Sequence, residues 1–300
     1  MRMSAFSLVV VTYNRSHLLN SLLEHLISFP KQELAKLYIC NNASTDDTAL
    51  VLEKYQKLDS RVVVINLKEN IGGAGGFRKG VSQAYNDGAE WIGLLDDDVW
   101  PDSACLSVLS RYQGEYDCFI AVREDKSGAI VEQAAMNYDL KNPLCLNPNS
   151  QPISKIYSKR TECPKVISVD CGSFEGFFIS RKAVAKVGLP FAEYFIFGDD
   201  FDYSLRLKAS GIKIVAIPEA KFVRQLSSKS DKFGTWKAYY IWRNFFVLHF
   251  LYGENVAVRL KPYLIALVLS FIGIIDSSKR IKPFKILKDA YLMAKILKSK

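Results

Sequence analysis

Short apolar runs alternate with longer amphipathic segments along the first hundred residues of the chain. The apolar runs predict strands at residues 7–12, 37–40, 61–67 and 90–95, and the amphipathic segments predict helices at residues 15–28, 46–57 and 76–87. Strands that alternate with helices in this order form a mostly parallel sheet through right-handed crossovers. Ligands bind at the carboxyl ends of such strands, so the polar and glycine-rich residues there are the first candidates for a functional site.

The alternation is lost in the middle of the chain and then returns. Residues 142–164 are rich in proline and asparagine, which predicts a long surface loop or a lid over the site. Further strands are predicted at residues 166–169, 176–179 and 213–217, and further helices at residues 181–187 and 201–209. The expected class is therefore α/β, with a mostly parallel central sheet.

Charge is distributed unevenly along the chain. The 300 residues carry a formal net charge of +9, and residues 255–300 alone carry +8. The remaining body is close to neutral, which argues against nucleic acid as a partner and for a basic appendage that faces an anionic lipid surface. With 49% hydrophobic and 24% charged residues, the composition is that of a folded protein.

An apolar stretch at residues 263–275 lies within this basic appendage. It is shorter than the roughly 20 residues that cross a bilayer, and Pro262 and Gly273 are expected to interrupt it. The neighbouring Lys279 and Arg280 favour a helix that lies in the membrane interface. The alternative is a C-terminal helix that packs on the body of the protein and exposes a solvated basic face.

Cysteine usage and the start of the chain bear on location. The six cysteines show no metal-binding or redox spacing, and we interpret them as reduced packing residues. The first apolar run is too short for a signal peptide and predicts a strand instead. These features favour the cytoplasm, and the basic appendage adds a peripheral position at the inner face of the cell membrane.

Three consecutive aspartates, Asp96, Asp97 and Asp98, follow the strand predicted at residues 90–95. Like charges this close raise one another's pKa unless a cation neutralises them, and carboxylate oxygens suit Mg²⁺ or Mn²⁺. In extended backbone Asp96 and Asp98 face the same way and are able to share one metal ion, while Asp97 points elsewhere. A metal ion there would bridge to a diphosphate and stabilise its departure. The alternative is a solvated acidic turn or a helix N-cap.

A second acidic pair, Asp199 and Asp200, follows an aromatic run and precedes the helix predicted from residue 201. A carboxylate in a partly apolar pocket has a raised pKa and is able to take a proton from an attacking hydroxyl group. The pair therefore predicts a general base. The alternative is that one or both aspartates cap the helix.

A glycine-rich segment at residues 72–76 lies between a predicted strand and a predicted helix. Gly73, Gly75 and Gly76 allow the backbone to approach a ligand closely, and the start of the next helix, near Arg78, favours anions. The segment follows the third strand rather than the first, and it lacks the lysine and hydroxyl residue of a P-loop. Both features argue against NAD-dependent and ATP-hydrolysing enzymes.

Taken in order, these segments resemble glycosyltransferase family 2, whose members have the GT-A fold. The resemblance covers roughly residues 5–250 and rests on the sequences VVVTYNR, CNNASTD, NIGGAGGFRKG, DDD, GFFISR and GDDFDYSLR. It implies a catalytic domain at residues 1–235, with a nucleotide-binding half at 1–100 and an acceptor and catalytic half at 101–235. A helical membrane-associating segment at residues 236–300 would follow.

The resemblance also implies a role for single residues. Those expected to contact the nucleotide sugar are Thr12, Tyr13, Arg15, Asn41, Asn42, Gly73, Gly75, Gly76, Arg78, Asp96, Asp97 and Arg224. Of these, Asn41 or Asn42 would meet uracil. The metal ion, Mn²⁺ or Mg²⁺, is expected on Asp96 and Asp98. The catalytic base is expected to be Asp200, beside Asp199.

Two departures from the family's pattern stand out. Asn41 and Asn42 stand where members usually have aspartate, so recognition of the nucleobase would use an amide. Arg224 stands where many members have a metal-binding histidine. It would either hold the diphosphate directly or leave a water molecule to complete the metal's coordination. Tyr240 and Arg243 lie in the helical region after the core, where they would contact phosphate or acceptor, or serve in packing.

The expanded sequence NIGGAGGF is similar to that of galactofuranosyltransferases, with rhamnosyltransferases as close relatives. We therefore expect an inverting transferase that moves galactofuranose from UDP-galactofuranose to a glycan or a lipid-linked acceptor, in the assembly of a bacterial surface polysaccharide such as O-antigen or capsule. The alternatives are a rhamnosyltransferase that uses dTDP-rhamnose, a nucleotidyltransferase, and a non-catalytic nucleotide-sugar-binding protein. A nucleotidyltransferase is disfavoured because VVVTYNR lacks its glycine-rich loop.

Overall fold

The computed structural model describes residues 3–226, 236–275 and 282–300 of the chain. Its first half has the predicted alternation of strands and helices. The elements are β1 (Phe6–Thr12), α1 (Ser16–Ile27), β2 (Leu34–Asn41), α2 (Thr48–Leu58), β3 (Val62–Asn66), α3 (Gly72–Asn86) and β4 (Trp91–Asp96). Helix α3 begins at Gly72, four residues before the predicted start at residue 76. The glycine-rich segment is therefore helical and does not form a loop.

The second half follows the prediction more loosely. Its elements are β5 (Val99–Pro101), α4 (Cys105–Ser110), β6 (Cys118–Glu124), α5 (Ile153–Ile156), β7 (Ile167–Val169), β8 (Phe177–Ser180), α6 (Arg181–Val187), α7 (Asp199–Ala209) and β9 (Ile214–Arg224). The stretch 142–164 is mostly irregular, as predicted, with only α5 and a short 3₁₀ turn at Arg160–Glu162. Strand β9 is much longer than the predicted 213–217, because its second half pairs with β5 and with the end of β6.

One sheet contains the nine strands of the described part of the chain, in the order β3-β2-β1-β4-β8-β6-β9-β5, with β7 also paired to β9. Strands β1 to β4, β6 and β9 run in the same direction, and β5, β7 and β8 run in the opposite one. The sheet is therefore mostly parallel, as expected. The ends of β1, β2 and β4 meet at one edge, which brings together the polar residues that follow them.

The sheet has an apolar layer on each face. In β1, Leu8 and Val10 belong to the core that includes α1, whereas Val9 and Val11 belong to the core that includes α3. Both layers are fully buried, which explains why β1 reads as a continuous apolar run rather than an alternating one. This packing fixes the position of each strand in the sheet, and therefore the place at which each strand ends.

Three helices follow β9 in the described part of the chain: α8 (Lys237–Tyr252), α9 (Val256–Ile275) and α10 (Pro283–Lys298). They share an apolar core with Tyr194, Leu140 and Ala74 of the preceding chain. The prediction that Pro262 and Gly273 interrupt the apolar stretch was wrong, since α9 begins six residues before Pro262 and continues past Gly273. Packing of Val258 and Ala266 against the neighbouring helices holds the helix through the proline.

The outward side of α9 and α10 is apolar and basic. Large exposed apolar side chains on it include Leu260, Leu264, Val268, Phe271, Phe284 and Tyr291, which we call the C-terminal apolar face. Tyr263 of α9 and Tyr291 of α10 both lie against the Phe250 ring, with centroids 5.8 and 5.9 Å away, so the exposed sides of the two helices adjoin. The predicted basic flank at residues 279 and 280 lies outside the described residues.

In residues 3–226, 236–275 and 282–300, no helix combines the length and the apolar character that crossing a bilayer requires.

Candidate active site

The acidic turn after β4 is tied to the end of β1. Thr12 Oγ1 donates to Asp97 Oδ2 at 2.8 Å, and the Arg15 guanidinium donates to Asp97 Oδ1 at 2.7 Å and lies 3.9 Å from Asp98 Oδ2. Asp97 is therefore committed to protein contacts on the β1 side. This geometry agrees with the expectation that Asp97 points away from its two neighbours. Tyr13, between Thr12 and Arg15 in the chain, is 44% exposed and free to contact a ligand.

The pKa values of both Asp96 and Asp98 are raised. Burial raises the pKa of Asp96 well above its usual range, and the charges of Glu175, Asp98 and Asp97 raise it further. Burial and Glu175 likewise raise the pKa of Asp98, while Arg15 and Arg224 oppose the shift. These carboxylates repel one another in a poorly solvated site, which a bound cation would relieve.

Glu175 is a fourth carboxylate at this site, and no motif in the sequence singles it out. It lies in the irregular segment before β8, where it forms ion pairs with Arg123 of β6 and, at 3.4 Å, with Arg224 of β9. Arg123 is also held by Glu132, through two 2.9 Å hydrogen bonds in the buried core. Arg224, expected to meet the diphosphate, is thus positioned by Glu175 next to the acidic turn.

The second acidic pair lies in the first turn of α7. Gly198 is the N-cap, in the left-handed conformation, so the alternative in which Asp199 or Asp200 caps the helix was wrong. Burial raises the pKa of Asp199 well above its usual range, and the charge of Asp200 adds to the shift. Burial also raises the pKa of Asp200, to about 6, and Glu175 contributes.

Glu175 therefore connects the two acidic centres electrostatically. Its charge raises the pKa of Asp96, of Asp98 and of Asp200. In a poorly solvated site the charge of one carboxylate acts strongly on its neighbours. Both predicted centres therefore lie around Glu175, although they are separated by about a hundred residues in the sequence.

Asp202 belongs to the framework of the site. It is fully buried and accepts hydrogen bonds from Tyr194 at 3.0 Å and from Tyr252 of α8 at 2.7 Å, and it pairs with Arg206 at 2.9 Å. A buried carboxylate with this many partners fixes the position of the helix that carries it. These contacts connect helix α7 to helix α8.

The amides expected to read uracil already have intramolecular partners. Asn41 donates to Asn66 Oδ1 and accepts from the Ser44 backbone, both at 3.0 Å. Asn42 is 2% exposed, donates to the Gly72 carbonyl at 3.0 Å and accepts from the Ile71 backbone at 2.9 Å. Both side chains thus join the end of β2 to the neighbouring β3 and α3.

The glycines of α3 serve packing more than ligand approach. A Cβ atom on Gly76 would lie 2.6 Å from the Val11 side chain, and one on Gly75 would lie 2.7 Å from that of Ile71. Only Gly73 of the three predicted positions faces open space, with nothing within 4 Å of a Cβ atom. Arg78 donates to the Pro190 carbonyl at 2.9 Å, on the side of α3 that faces the loop before α7.

The fold and the two acidic centres together define a glycosyltransferase with a GT-A-like α/β fold. The model of the family described as "Glycosyl transferase family 2" matches residues 7–188, which is more than half of the chain. The chain therefore belongs to glycosyl transferase family 2.

Its relatives include galactofuranosyltransferases. Galactofuranosyltransferase GlfT1 of Mycobacterium tuberculosis is 25% identical over 226 residues, which cover 75% of this chain and 71% of the relative. Among solved structures, GalNAc-T7 with UDP, GalNAc and Mn²⁺ is similar with a TM-score of 0.64 and 15% identity, covering 96% of this chain and 55% of that one. The mannosyltransferase PcManGT from Pyrobaculum calidifontis, in complex with GDP-Man and Mn²⁺, gives 0.57 and 12%, covering 96% and 80%.

The chemistry of the acidic turn fits a divalent cation. Asp96 and Asp98 offer oxygen ligands whose mutual repulsion such a cation would relieve. Within the described residues no group of three or more histidine, cysteine, aspartate or glutamate side chains is arranged to hold a metal ion. Mg²⁺ is commonly held by one or two carboxylates together with substrate phosphates and water, so two carboxylates suffice when the donor is bound.

Proposed function

We propose that this glycosyltransferase moves galactofuranose from UDP-galactofuranose, with inversion, to a glycan or a lipid-linked acceptor in the assembly of a bacterial surface polysaccharide. The observation that carries the proposal is that both acidic centres lie around Glu175, whose charge raises the pKa of Asp96, of Asp98 and of Asp200. The choice of donor is supported by the NIGGAGGF sequence and by the similarity to GlfT1.

The two acidic centres have different roles in the proposed reaction. At neutral pH an aspartate whose pKa is about 6 is mostly ionised yet retains basicity, so Asp200 accepts the proton of the acceptor hydroxyl as that oxygen attacks the anomeric carbon. The bond to UDP breaks in the same displacement, without a covalent enzyme intermediate. Arg15 and Arg224 supply positive charge for the departing diphosphate.

Asp96 and Asp98 would hold Mn²⁺ or Mg²⁺, which when bound neutralises the diphosphate. Thr12 and Arg15 hold Asp97, and with it the acidic turn, against the nucleotide-binding edge of the sheet. Tyr13, exposed on the same loop, is available to pack against the nucleobase.

The donor is tested by the release of nucleoside diphosphate from UDP-galactofuranose, UDP-galactopyranose and dTDP-rhamnose, with Mn²⁺ and a membrane lipid extract as the acceptor source. We expect turnover with UDP-galactofuranose and little with its pyranose isomer. Turnover with dTDP-rhamnose alone would replace the proposed donor. Binding of UDP without turnover of any donor would instead favour the non-catalytic alternative.

We also propose that the C-terminal apolar face rests on the anionic inner surface of the cell membrane. The face combines exposed apolar side chains with exposed lysines on the same outward side of α10, including Lys285, Lys288 and Lys295. This mixture is typical of helices that lie in a membrane interface. The net charge of +8 on residues 255–300 favours anionic lipids over a neutral protein partner.

The membrane contact is tested with vesicles of phosphatidylglycerol and phosphatidylethanolamine. Serine at Leu264, Val268 and Phe271, which are 64%, 50% and 66% exposed, is expected to reduce partitioning into the vesicles. Loss of three apolar contacts predicts a reduction of about tenfold or more. The matched control is serine at Leu50 and Leu58, which are 65% and 62% exposed on α2.

The control variant should bind vesicles as the wild type does, and binding should weaken at high salt. Equal binding by both variants would contradict the proposal. A wild type that ignores vesicles but forms a dimer, which the triple variant dissociates, would assign the face to a second copy of the chain.

A further inference from the structure

The turn that leads into α7 has an unusual backbone. Phe195, Phe197 and Gly198 have φ angles of 63°, 66° and 82°, so three of four consecutive residues lie in the left-handed region. This region is unfavourable for residues other than glycine, and bulky side chains rarely occupy it. The two phenylalanines stay there only if the surroundings stabilise this conformation. The next residues in the chain are Asp199 and Asp200.

Helix α8 supplies that stabilisation through a single buried amide. Asn244 is 1% exposed, and its Nδ2 lies 3.0 Å from the Tyr194 carbonyl, 2.8 Å from that of Ile196 and 2.6 Å from that of Phe197. One side chain thus donates to carbonyls along most of the turn. An amide nitrogen carries two hydrogens, so the three acceptors share them.

Arg243 fixes the orientation of this amide. Its Nε donates to Asn244 Oδ1 at 2.9 Å, which leaves the nitrogen of the amide facing the turn. Its Nη2 donates to both the Glu193 and the Tyr194 carbonyl, at 2.9 and 2.8 Å. These contacts use the guanidinium for positioning the turn, which agrees with the packing alternative raised for Arg243 by the sequence.

Helix α3 holds the turn from the opposite side. The Ala74 backbone donates to the Phe195 carbonyl at 3.1 Å, and a Cβ atom on Gly72 would lie only 2.0 Å from that oxygen. The Phe195 ring also stacks on Tyr240 of α8, with centroids 4.8 Å apart. The turn is therefore clamped between the first turn of α3 and the first half of α8.

We propose that Asn244, oriented by Arg243, is a positioning residue for Asp200: it holds the turn at residues 195–198 in the conformation that starts α7 at Asp199 and keeps Asp200 near Glu175 and the acidic turn. The inference rests on the proposed role of Asp200 as the base. Without the amide, the turn relaxes toward right-handed backbone and the carboxylate moves away from the acceptor hydroxyl.

The test compares Asn244→Ala with Tyr55→Phe. The control removes a partly buried side-chain hydrogen bond of similar length, 3.1 Å from Tyr55 Oη to the Asn20 carbonyl, that does not reach the turn. For Asn244→Ala we expect kcat to fall by about 10- to 100-fold, because a displacement of about 1 Å at a reacting group costs that much. UDP should bind with unchanged stoichiometry and within about twofold of the wild-type Kd, since an unchanged site gives the same binding free energy. Tyr55→Phe should keep kcat.

Several outcomes would overturn the inference. If kcat of Asn244→Ala stays within about twofold of wild type, the amide does not position the base. If kcat and the stoichiometry of UDP binding fall together, the amide only supports folding. Should Asn244→Ala not fold, Arg243→Gln, which keeps the amide but removes the group that orients it, is expected to give the same loss of kcat in smaller measure, and an unchanged kcat there overturns the inference equally.

Asp200→Asn in the same assay separates this inference from the proposed function. An active Asp200→Asn would show that the base is assigned wrongly. An inactive Asp200→Asn beside a fully active Asn244→Ala would leave the base in place and remove only the role of Asn244.

Discussion

Replacement of Asp200 by asparagine is expected to lower the rate of sugar transfer about 100- to 10,000-fold, because a positioned general base contributes that much to the rate. Binding of UDP should change little, since most of the residues proposed to bind the nucleotide lie at or just after the ends of β1, β2 and β4, whereas Asp200 lies in α7. The matched control is Asp199→Asn. Burial and the charge of Asp200 raise the pKa of Asp199 well above its usual range, which favours the neutral form of this side chain, and an amide resembles that form.

The pH dependence follows from the raised pKa of Asp200, about 6. The base works when ionised, so kcat/KM should be flat above this pH and fall tenfold per pH unit below it. A profile without this acidic limb, or a larger loss in Asp199→Asn than in Asp200→Asn, would contradict the assignment.

The pH dependence of folding stability gives an independent check, and its sign is opposite to that of the activity profile. The pKa of Asp200 is higher in the folded protein than in the unfolded chain, so the folded state binds this proton more tightly, and stability falls as the pH rises from about 4 to about 6. Asparagine removes this cost. At pH 7.5 Asp200→Asn should therefore be more stable than the wild type, by on the order of 2 kcal/mol, with the difference vanishing near pH 4. An inactive variant that is also less stable would indicate misfolding instead.

Replacement of Asp98 by asparagine is expected to reduce kcat/KM about 100-fold or more and to raise the Mn²⁺ concentration that gives half-maximal activity. The change removes one of the two carboxylates proposed to hold the cation and keeps the shape of the side chain. Transfer rates over a Mn²⁺ titration, after treatment with a chelator, measure both effects.

Asp97→Asn serves as the comparison for this substitution. Asp97 accepts hydrogen bonds from Thr12 and Arg15. Its replacement should therefore weaken nucleotide binding more than it raises the Mn²⁺ concentration that gives half-maximal activity. Full activity of the wild type in the presence of chelator would remove the proposed role of Asp96 and Asp98.

Much of the fold could be predicted because the signals are local. Each of the first four strands is a short apolar run, and each is followed by polar or glycine-rich residues, so both the succession of these strands along the chain and the position of Asp96 to Asp98 follow from the pattern. The assignment of Asp200 as the base rested on the resemblance to the family. The surroundings of the second acidic pair in the structure do not contradict that assignment.

The parts that could not be predicted depend on contacts between distant residues. Glu175 lies in an irregular segment without a motif, and its partner Arg123 is 52 residues away. Asn42 looked available for a ligand until its amide was found to join β2 to α3, 29 and 30 residues later. The helix through Pro262 likewise reflects tertiary packing, which overrides local preference.

The hydrogen bond from Tyr252 to Asp202 limits where a chimera between this protein and a relative can be joined. The family match ends at residue 188, before α7, yet α7 is anchored to α8 by this bond and its preceding turn is clamped by Asn244. A chimera that joined a foreign C-terminal segment at residue 236 would replace the groups that hold the proposed base. Functional recombination would have to place the junction after residue 252, so that α8 is inherited with the catalytic core and only α9 and α10 are interchangeable.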